Sequence, residues 1–230
     1  MRNTIVVINI DETQEPEKWL PAEEGAYRLL FINYSRKLKF FDRLRALAME
    51  QDDVELVDFH KENQGKWKNI YRLYMQDMNY YLLNYNQHWF PDPDLIMEPE
   101  DIIAFLNFAH DKALWLSQPA VTGNSFYSHQ ELVYRDESIM RRTSLTEIMC
   151  PCFSRDALRK CFWTFDLTHS GYGIDYIWPK YGHTYVVDMF WITHPRPVNF
   201  REEAKKRGWP EPTKELKMIR EKYAEGEIFE

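Results

Sequence analysis

The chain has 230 residues, of which 44% are hydrophobic and 16% aromatic, and its net charge is −7. That length fits one large domain or two small ones, and the apolar content is enough to fill a core. The acidic balance argues against a nucleic-acid partner, because basic clusters such as residues 36–39 stay short. Three cysteines argue against a disulfide framework and indicate reduced, buried thiols.

Strands and helices alternate from the start of the chain. Runs of β-branched and aromatic residues predict strands over 5–10, 27–34 and 54–59. Apolar residues at helical spacing predict helices over 37–50 and 65–83. This order predicts an α/β fold with a largely parallel central sheet flanked by helices.

The alternation continues in the second half of the chain. The predicted elements are a helix over 99–112, a strand over 113–117 that Gln118-Pro119 ends, a long loop or hairpin over 122–144, a strand over 145–153, a helix over 157–165 capped by Ser154, a short helix after 171–175, and a strand over 185–193. Residues 201–230 are rich in charge, which predicts an exposed or partner-packed helical tail after a single domain over 1–200.

The sequence carries no signal for secretion or membrane insertion. A short apolar run over 5–10 is followed too soon by acidic residues for a signal peptide. No stretch approaches the roughly 20 apolar residues that span a membrane. We therefore expect a soluble, cytoplasmic protein, with contact at the inner face of the membrane left open and no indication of its oligomeric state.

Two carboxylates lie one residue apart in Asp92-Pro93-Asp94, after a strongly aromatic stretch. Such a pair can face one divalent cation, and Mg²⁺ and Mn²⁺ prefer oxygen ligands. His194 ends the last predicted strand and can add an imidazole if both segments meet at one edge of the sheet. The alternatives are a solvated turn for the pair and a packed or capping role for His194.

Three further residues are candidates for chemistry. Asp175 follows two glycines that permit close approach of a substrate, so it can act as a general base or simply as an acid at a helix start. Glu147 lies either in a cleft or on the wet face of an edge strand. Lys66, at a predicted helix start, can meet a phosphate or remain an ordinary surface lysine.

Motifs of several common enzyme classes are missing from the sequence. It contains no Walker loop, no G-x-G-x-x-G, no G-x-S-x-G and no H-E-x-x-H. Kinases, dehydrogenases, α/β-hydrolases and zinc proteases therefore lose their usual sequence support.

Five segments together resemble a plant and bacterial family of domain-of-unknown-function type, over roughly residues 4–199. The segments are 64–67 (QGKW), 90–95 (FPDPDL), 116–120 (LSQPA), 147–155 (EIMCPCFSR) and 169–175 (HSGYGID). The family's two central motifs read E-I-M-x-P-x-F-S-R and H-G-W-G-L-D. In turn, the family looks like glycosyltransferases of the GT-A fold.

The resemblance implies a GT-A-like, Rossmann-like single domain that moves a sugar from a nucleotide-diphosphate donor to a hydroxyl acceptor, in glycan or polysaccharide synthesis, with Mn²⁺ or Mg²⁺. The roles assigned on this basis are Asp92, Asp94 and His194 at the metal, Asp92, Asp94 and Lys66 at the donor, Asp175 and Glu147 in catalysis, and Tyr172, Trp178 and Gln118 at the acceptor. A non-catalytic sugar- or nucleotide-binding module with a degenerate metal site is the alternative, and a metal-dependent phosphoesterase is a third.

Overall fold

One sheet organises this computed structural model, which describes residues 4–197 and 200–224. Within that part of the chain its strands are β1 (Thr4–Ile10), β2 (Arg28–Asn33), β3 (Val54–Asp58), β4 (Gln87–Trp89), β5 (Leu116–Val121), β6 (Arg141–Thr143), β7 (Cys152–Ser154) and β8 (Thr184–Ile192). They lie in the order β3-β2-β1-β4-β7-β5-β8-β6. Only β7 and β6 run antiparallel to their neighbours, which confirms the predicted mostly parallel α/β sheet.

Helices cover both faces of the sheet. The described helices are α1 (Leu38–Glu50), α2 (Lys66–Gln76), α3 (Pro99–Asp111), α4 (Arg155–Cys161), α5 (Phe200–Arg207) and α6 (Pro212–Ile219). Strand β1 is buried along its whole length, with Val6 and Ile8 in the core under α1 and α3, and Ile5 and Val7 in the core under α2 and α4. Its unbroken apolar run is therefore that of a central parallel strand with two buried faces.

The single helix predicted over 65–83 is wrong in one respect. Helix α2 ends at Gln76, because Asp77 leaves the helical region with φ −148° and ψ 84°. The carboxylate of Asp77 accepts the backbone N–H of Tyr80 at 2.9 Å, a local bond that competes with the helix. A separate turn of π-helix follows over Asn79–Leu83.

The predicted end of a strand at Gln118-Pro119 is also wrong, since β5 continues to Val121. Strand β7 pairs with β5 only at Leu116 and Ser117, so one side of β5 is free of the β7 ladder beyond that point. The register with β8 then shifts directly after Pro119. A proline is tolerated in a strand at such a bulge, where no ladder bond needs its missing N–H.

The strand predicted over 145–153 shrinks to Cys152–Ser154. Glu147 lies in the loop before it, where its backbone N–H donates to the side-chain Oε1 of Gln118 at 2.7 Å instead of to a neighbouring strand. The predicted cap is present: Ser154 Oγ accepts the N–H of Ala157 at 3.2 Å and begins α4. The long loop over 122–144 includes the short edge strand β6.

The charged tail packs more closely than an exposed helix would. Ala204 in α5 and Glu215 and Ile219 in α6 are buried. The division of the chain at residue 200 stays a prediction, and residues 225–230 of the tail lie outside the described part. None of the helices described in residues 4–197 and 200–224 is long and apolar enough to cross a membrane.

Candidate active site

The topology of the sheet brings the acidic pair and His194 together. Strands β4 and β8 run in the same direction, because β4 is parallel to β1 and both β4 and β5 oppose β7, while β5 is parallel to β8. Asp92 and Asp94 follow β4, and His194 follows β8, so they lie at one edge. Ile96 and Thr193 exchange backbone hydrogen bonds of 2.9 and 3.0 Å that join the two segments.

Asp94 and His194 point at each other. Asp94 Oδ2 lies 3.5 Å from His194 Nε2 and accepts a hydrogen bond of 2.9 Å from Arg196 Nε. His194 Nδ1 donates to the carbonyl oxygen of Phe126 at 3.0 Å, which turns Nε2 toward the carboxylate. Burial raises the pKa of Asp94, but hydrogen bonds and charge from His194 and Arg196 outweigh it and hold the pKa at about 2. Asp94 is therefore ionised at neutral pH.

Asp92 is engaged by a lysine instead. Lys66, at the start of α2, donates its Nζ to Asp92 Oδ1 at 2.7 Å and to the carbonyl oxygens of Ile148 and Met149 at 2.9 and 3.3 Å. Burial raises the pKa of Asp92, and the charge of Lys66 opposes that rise without cancelling it. Lys66 thus contacts Asp92, the residue with which it is predicted to bind the donor.

A cavity of about 500 Å³ opens beside these residues. Most of the predicted site residues line it: Lys66, Asp92, Glu147, Tyr172, Asp175 and His194. Two of its carboxyl groups are buried and keep an unpaired oxygen, since neither Glu147 Oε2 nor Asp175 Oδ1 has a hydrogen-bond partner among the described residues. A buried acceptor without a hydrogen bond lowers the stability of the fold, so these two oxygens indicate a site that takes up a ligand or a proton.

Asp175 is held at the start of a short 3-10 turn, Ile174–Tyr176. Gly173 before it has φ +96°, a left-handed conformation that glycine adopts without strain. Burial, followed by the charge of Glu147, raises the pKa of Asp175 to about 7 against opposing backbone hydrogen bonds. At neutral pH this carboxyl group is therefore poised to take up or release a proton.

Glu147 is the second such group in the cavity. Burial raises its pKa to about 7, although a hydrogen bond with Ser128 lowers it. Two carboxyl groups whose charges disfavour each other do not readily ionise together. The pair can consequently hold one proton near neutral pH.

The structure corrects two predicted acceptor residues. Trp178 is fully buried, donates its Nε1–H to Thr164 Oγ1 at 2.9 Å and packs edge-on against Trp67. Gln118 is also fully buried, and its side chain holds the backbone of Glu147. Neither residue lines the cavity. Trp178 is therefore a core residue, and Gln118 supports the backbone of Glu147 from outside the cavity.

Several residues that line the cavity were missed by sequence reasoning. They are Phe126, Tyr127, Ser128 and His129 from the long loop, and Phe200 and Leu216 from the charged tail. The only sequence signal for the first group was the length of the loop over 122–144. Phe200 lies 6.2 Å from Tyr172, ring to ring, so the tail extends the aromatic wall that Tyr172 begins.

Asp94 and His194 at the sheet edge are residue types that bind divalent cations. The Nδ1–H bond of His194 to a carbonyl is the support that metal-bound histidines usually have. In residues 4–197 and 200–224, however, no group of three or more His, Cys, Asp or Glu side chains is arranged to hold a metal ion. Mg²⁺-type ions are usually held by one or two carboxylates plus substrate phosphates, so a cation held by Asp94 and His194 would need phosphate oxygens or water as further ligands.

The two raised carboxyl pKa values predict a contribution to stability that falls as pH rises. Between the unfolded values near 4 and the folded values near 7, the folded chain keeps protons that the unfolded chain has released. This contribution is complete below the unfolded pKa and is lost as pH rises through about 7, and for the two groups together it amounts to about 5 kcal/mol between pH 5 and 8. Buried His88, whose pKa burial lowers to about 3, contributes in the opposite direction. Thermal unfolding across that range measures the net pH dependence.

The variant that carries both Glu147→Gln and Asp175→Asn should lose the contribution of the two carboxyl groups, whereas the exposed Asp42→Asn should keep the pH dependence of the wild type. Equal pH dependence of the wild type and the double variant would contradict the assignment of two buried, proton-holding carboxyl groups.

No protein-family model matches the chain, and no curated protein sequence matches it either. Solved structures do match. The crystal structure of GalNAc-T7 with UDP, GalNAc and Mn²⁺ superposes with a TM-score of 0.63 at 11% identity, over 96% of this chain and 48% of that one. The crystal structure of S. aureus TarS 1-349 in complex with UDP-GlcNAc superposes with a TM-score of 0.60 at 8% identity, over 86% and 60%.

These neighbours are GT-A glycosyltransferases, and the fold of this chain is the GT-A fold. The chain spans less than two thirds of either neighbour. At 11% and 8% identity the likeness shows the fold alone.

Proposed function

We propose that this chain is a glycosyltransferase that moves a sugar from a nucleotide-diphosphate donor to a hydroxyl acceptor. The observation that supports it best is Asp175, a buried carboxyl group with an unpaired Oδ1 that lines a cavity at the carboxyl edge of a GT-A sheet. Neighbours of the same fold were crystallised with UDP or UDP-GlcNAc. Membership in the plant and bacterial family named above forms part of this proposal.

The proposed donor side of the site carries two basic side chains. Departure of the sugar leaves charge on a diphosphate, and fixed cations lower the energy of that state. Lys66 lines the cavity, and Arg196 lies at the same edge on Asp94. When bound by Asp94 and His194, Mn²⁺ or Mg²⁺ would supply further neutralisation of the same charge.

The acceptor side carries the base. The carboxyl group of Asp175 takes the proton of the acceptor hydroxyl as the hydroxyl oxygen attacks the sugar and the bond from the sugar to the diphosphate breaks, and a pKa of about 7 suits this transfer at neutral pH. Glu147, in the same cavity, raises that pKa through its charge. The ring of Tyr172 offers a face on which the acceptor can stack.

A non-catalytic sugar- or nucleotide-binding module is the second candidate. Its support is that both aspartates already have basic partners: Asp92 is paired with Lys66 and Asp94 with Arg196. A site whose two aspartates are already paired with basic side chains can bind a nucleotide without catalysing a reaction of it.

A thermal-shift screen of nucleotide sugars with and without Mn²⁺, followed by an assay of nucleoside diphosphate release, tests the proposal. We expect one donor with Mn²⁺ to stabilise the chain by about 3 kcal/mol at 100 times its Kd, which raises Tm by several degrees. Release of diphosphate that depends on an added sugar acceptor supports transfer, whereas binding without release supports the module. If no nucleotide sugar changes Tm, the proposed function is wrong.

A further inference from the structure

A carboxylate from α6 is buried against the loop that leads to Asp175. Glu215 is only 5% exposed. Its Oε1 accepts the backbone N–H of His169 at 2.9 Å, and its Oε2 accepts both the N–H and the hydroxyl of Ser170 at 2.9 and 2.6 Å. Hydrogen bonds to an ionised carboxylate are about twice as strong as neutral ones. Glu215 is therefore a strong anchor for this segment.

The segment that it anchors has no regular structure to hold it otherwise. The four backbone N–H groups of residues 169–172 all donate to side chains. Glu215 accepts the first two, Thr168 Oγ1 accepts the third at 3.0 Å, and Ser170 Oγ accepts the fourth at 3.1 Å. Since Ser170 Oγ is itself oriented by Glu215, three of these four bonds depend on one carboxylate.

Helix α6 also touches the other end of the segment. Gly173 has φ +96°, and a Cβ placed there would lie 2.9 Å from Cβ of Ile219, so the helix packs directly on its backbone. Directly after α6, the guanidinium group of Arg220 lies 4.7 Å from the ring centre of Tyr176, the residue that follows Asp175. Contacts from the tail thus flank Asp175 on both sides along the sequence.

We propose that Glu215 is a positioning residue that holds Asp175 in place through the segment over 169–173. The inference rests on the proposed function and deepens it, because it makes the charged tail part of the active site. A base must lie within hydrogen-bond reach of its proton. A displacement of about 1 Å can cost on the order of 100-fold in rate.

The Glu215→Gln variant tests this role. An amide places an NH₂ group against one of the N–H donors, so at least one bond is lost while the size of the side chain is kept. We expect kcat for sugar transfer to fall about 10- to 100-fold, with the donor KM and donor Kd within about twofold of the wild type. Glu221→Gln is the matched control, because Glu221 is exposed and, among the residues that the structure describes, forms an ion pair with Lys217 at 3.6 Å.

Amide hydrogen exchange gives a readout that does not need turnover. The amides of residues 169–175 should exchange at least about 10 times faster in Glu215→Gln than in Glu221→Gln. Ser170→Ala, which keeps the two backbone bonds to Glu215, should give a smaller increase and serves if Glu215→Gln does not fold.

Three results would overturn the inference: exchange as slow as in the control, faster exchange with kcat retained, or parallel losses of kcat, donor binding and Tm, which indicate general destabilisation. If the wild type transfers no sugar, the proposed function fails by that result alone. The exchange rates then still decide whether Glu215 orders the segment.

Discussion

Replacing Asp175 with Asn is expected to abolish sugar transfer while donor binding persists. The amide keeps the shape of the carboxyl group but cannot accept the proton of the acceptor hydroxyl, and loss of a general base costs about 10²- to 10⁴-fold in rate. Asp175 lies in the cavity but makes none of the contacts of Asp92, Asp94 or His194 described above. Transfer rate and donor Kd, measured on the same preparation, separate the two effects.

Asp42→Asn is the matched control for this change, because Asp42 is an exposed residue of α1 that does not line the cavity. It should leave both transfer and donor binding as in the wild type. More than about a tenth of the wild-type rate in Asp175→Asn would contradict the assignment of the base.

The second large effect is expected at Asp94. Its Oδ2 is the carboxylate oxygen that lies beside Nε2 of His194, so Asp94→Asn should remove the additional stabilisation by Mn²⁺ together with donor. We expect kcat/KM to fall on the order of 10²- to 10³-fold, the size of losing one charge-stabilising contact in an active site. Thermal shift over a Mn²⁺ titration at fixed donor concentration measures the metal-linked part.

Asp92→Asn is the informative comparison, since that carboxylate is engaged by Lys66. It should weaken the response to Mn²⁺ less than Asp94→Asn does. Equal stabilisation of the wild type by the donor with Mn²⁺ and with a chelator would show instead that the basic side chains alone hold the diphosphate.

Local sequence patterns were sufficient for the first three strands. β1 and β2 each have a run of apolar residues that indicates a buried strand, whereas β3 mixes apolar and acidic residues as an edge strand does, and the structure places all three in the sheet. The meeting of the acidic pair and His194 was a conditional prediction, because the sequence predicts no strand directly before Asp92. Strand β4 supplies that strand, and parallel strands end at one edge of a sheet. Ser154 was a local signal for the start of α4, and its side chain forms the capping hydrogen bond there.

Patterns failed where a distant partner decides the structure. Pro119 reads as a strand end, yet β5 continues because Ala120 and Val121 pair with β8 beyond it. Trp178 reads as a ring for stacking on a sugar, yet its indole finds a buried partner in Thr164. In both cases the deciding contact lies 14 or more positions away in the chain and leaves no local signal.

The chain by itself therefore determined the α/β sheet and the acids that can carry chemistry, because hydrophobic period and capping are local properties of sequence. The tertiary structure alone decided that the acidic pair and His194 lie at one edge, which of the acids line the cavity, which of them pair with a basic side chain, and that Glu215 of the tail supports the loop of Asp175. Those properties depend on burial and on distances between residues far apart in the chain, which only the packed fold defines.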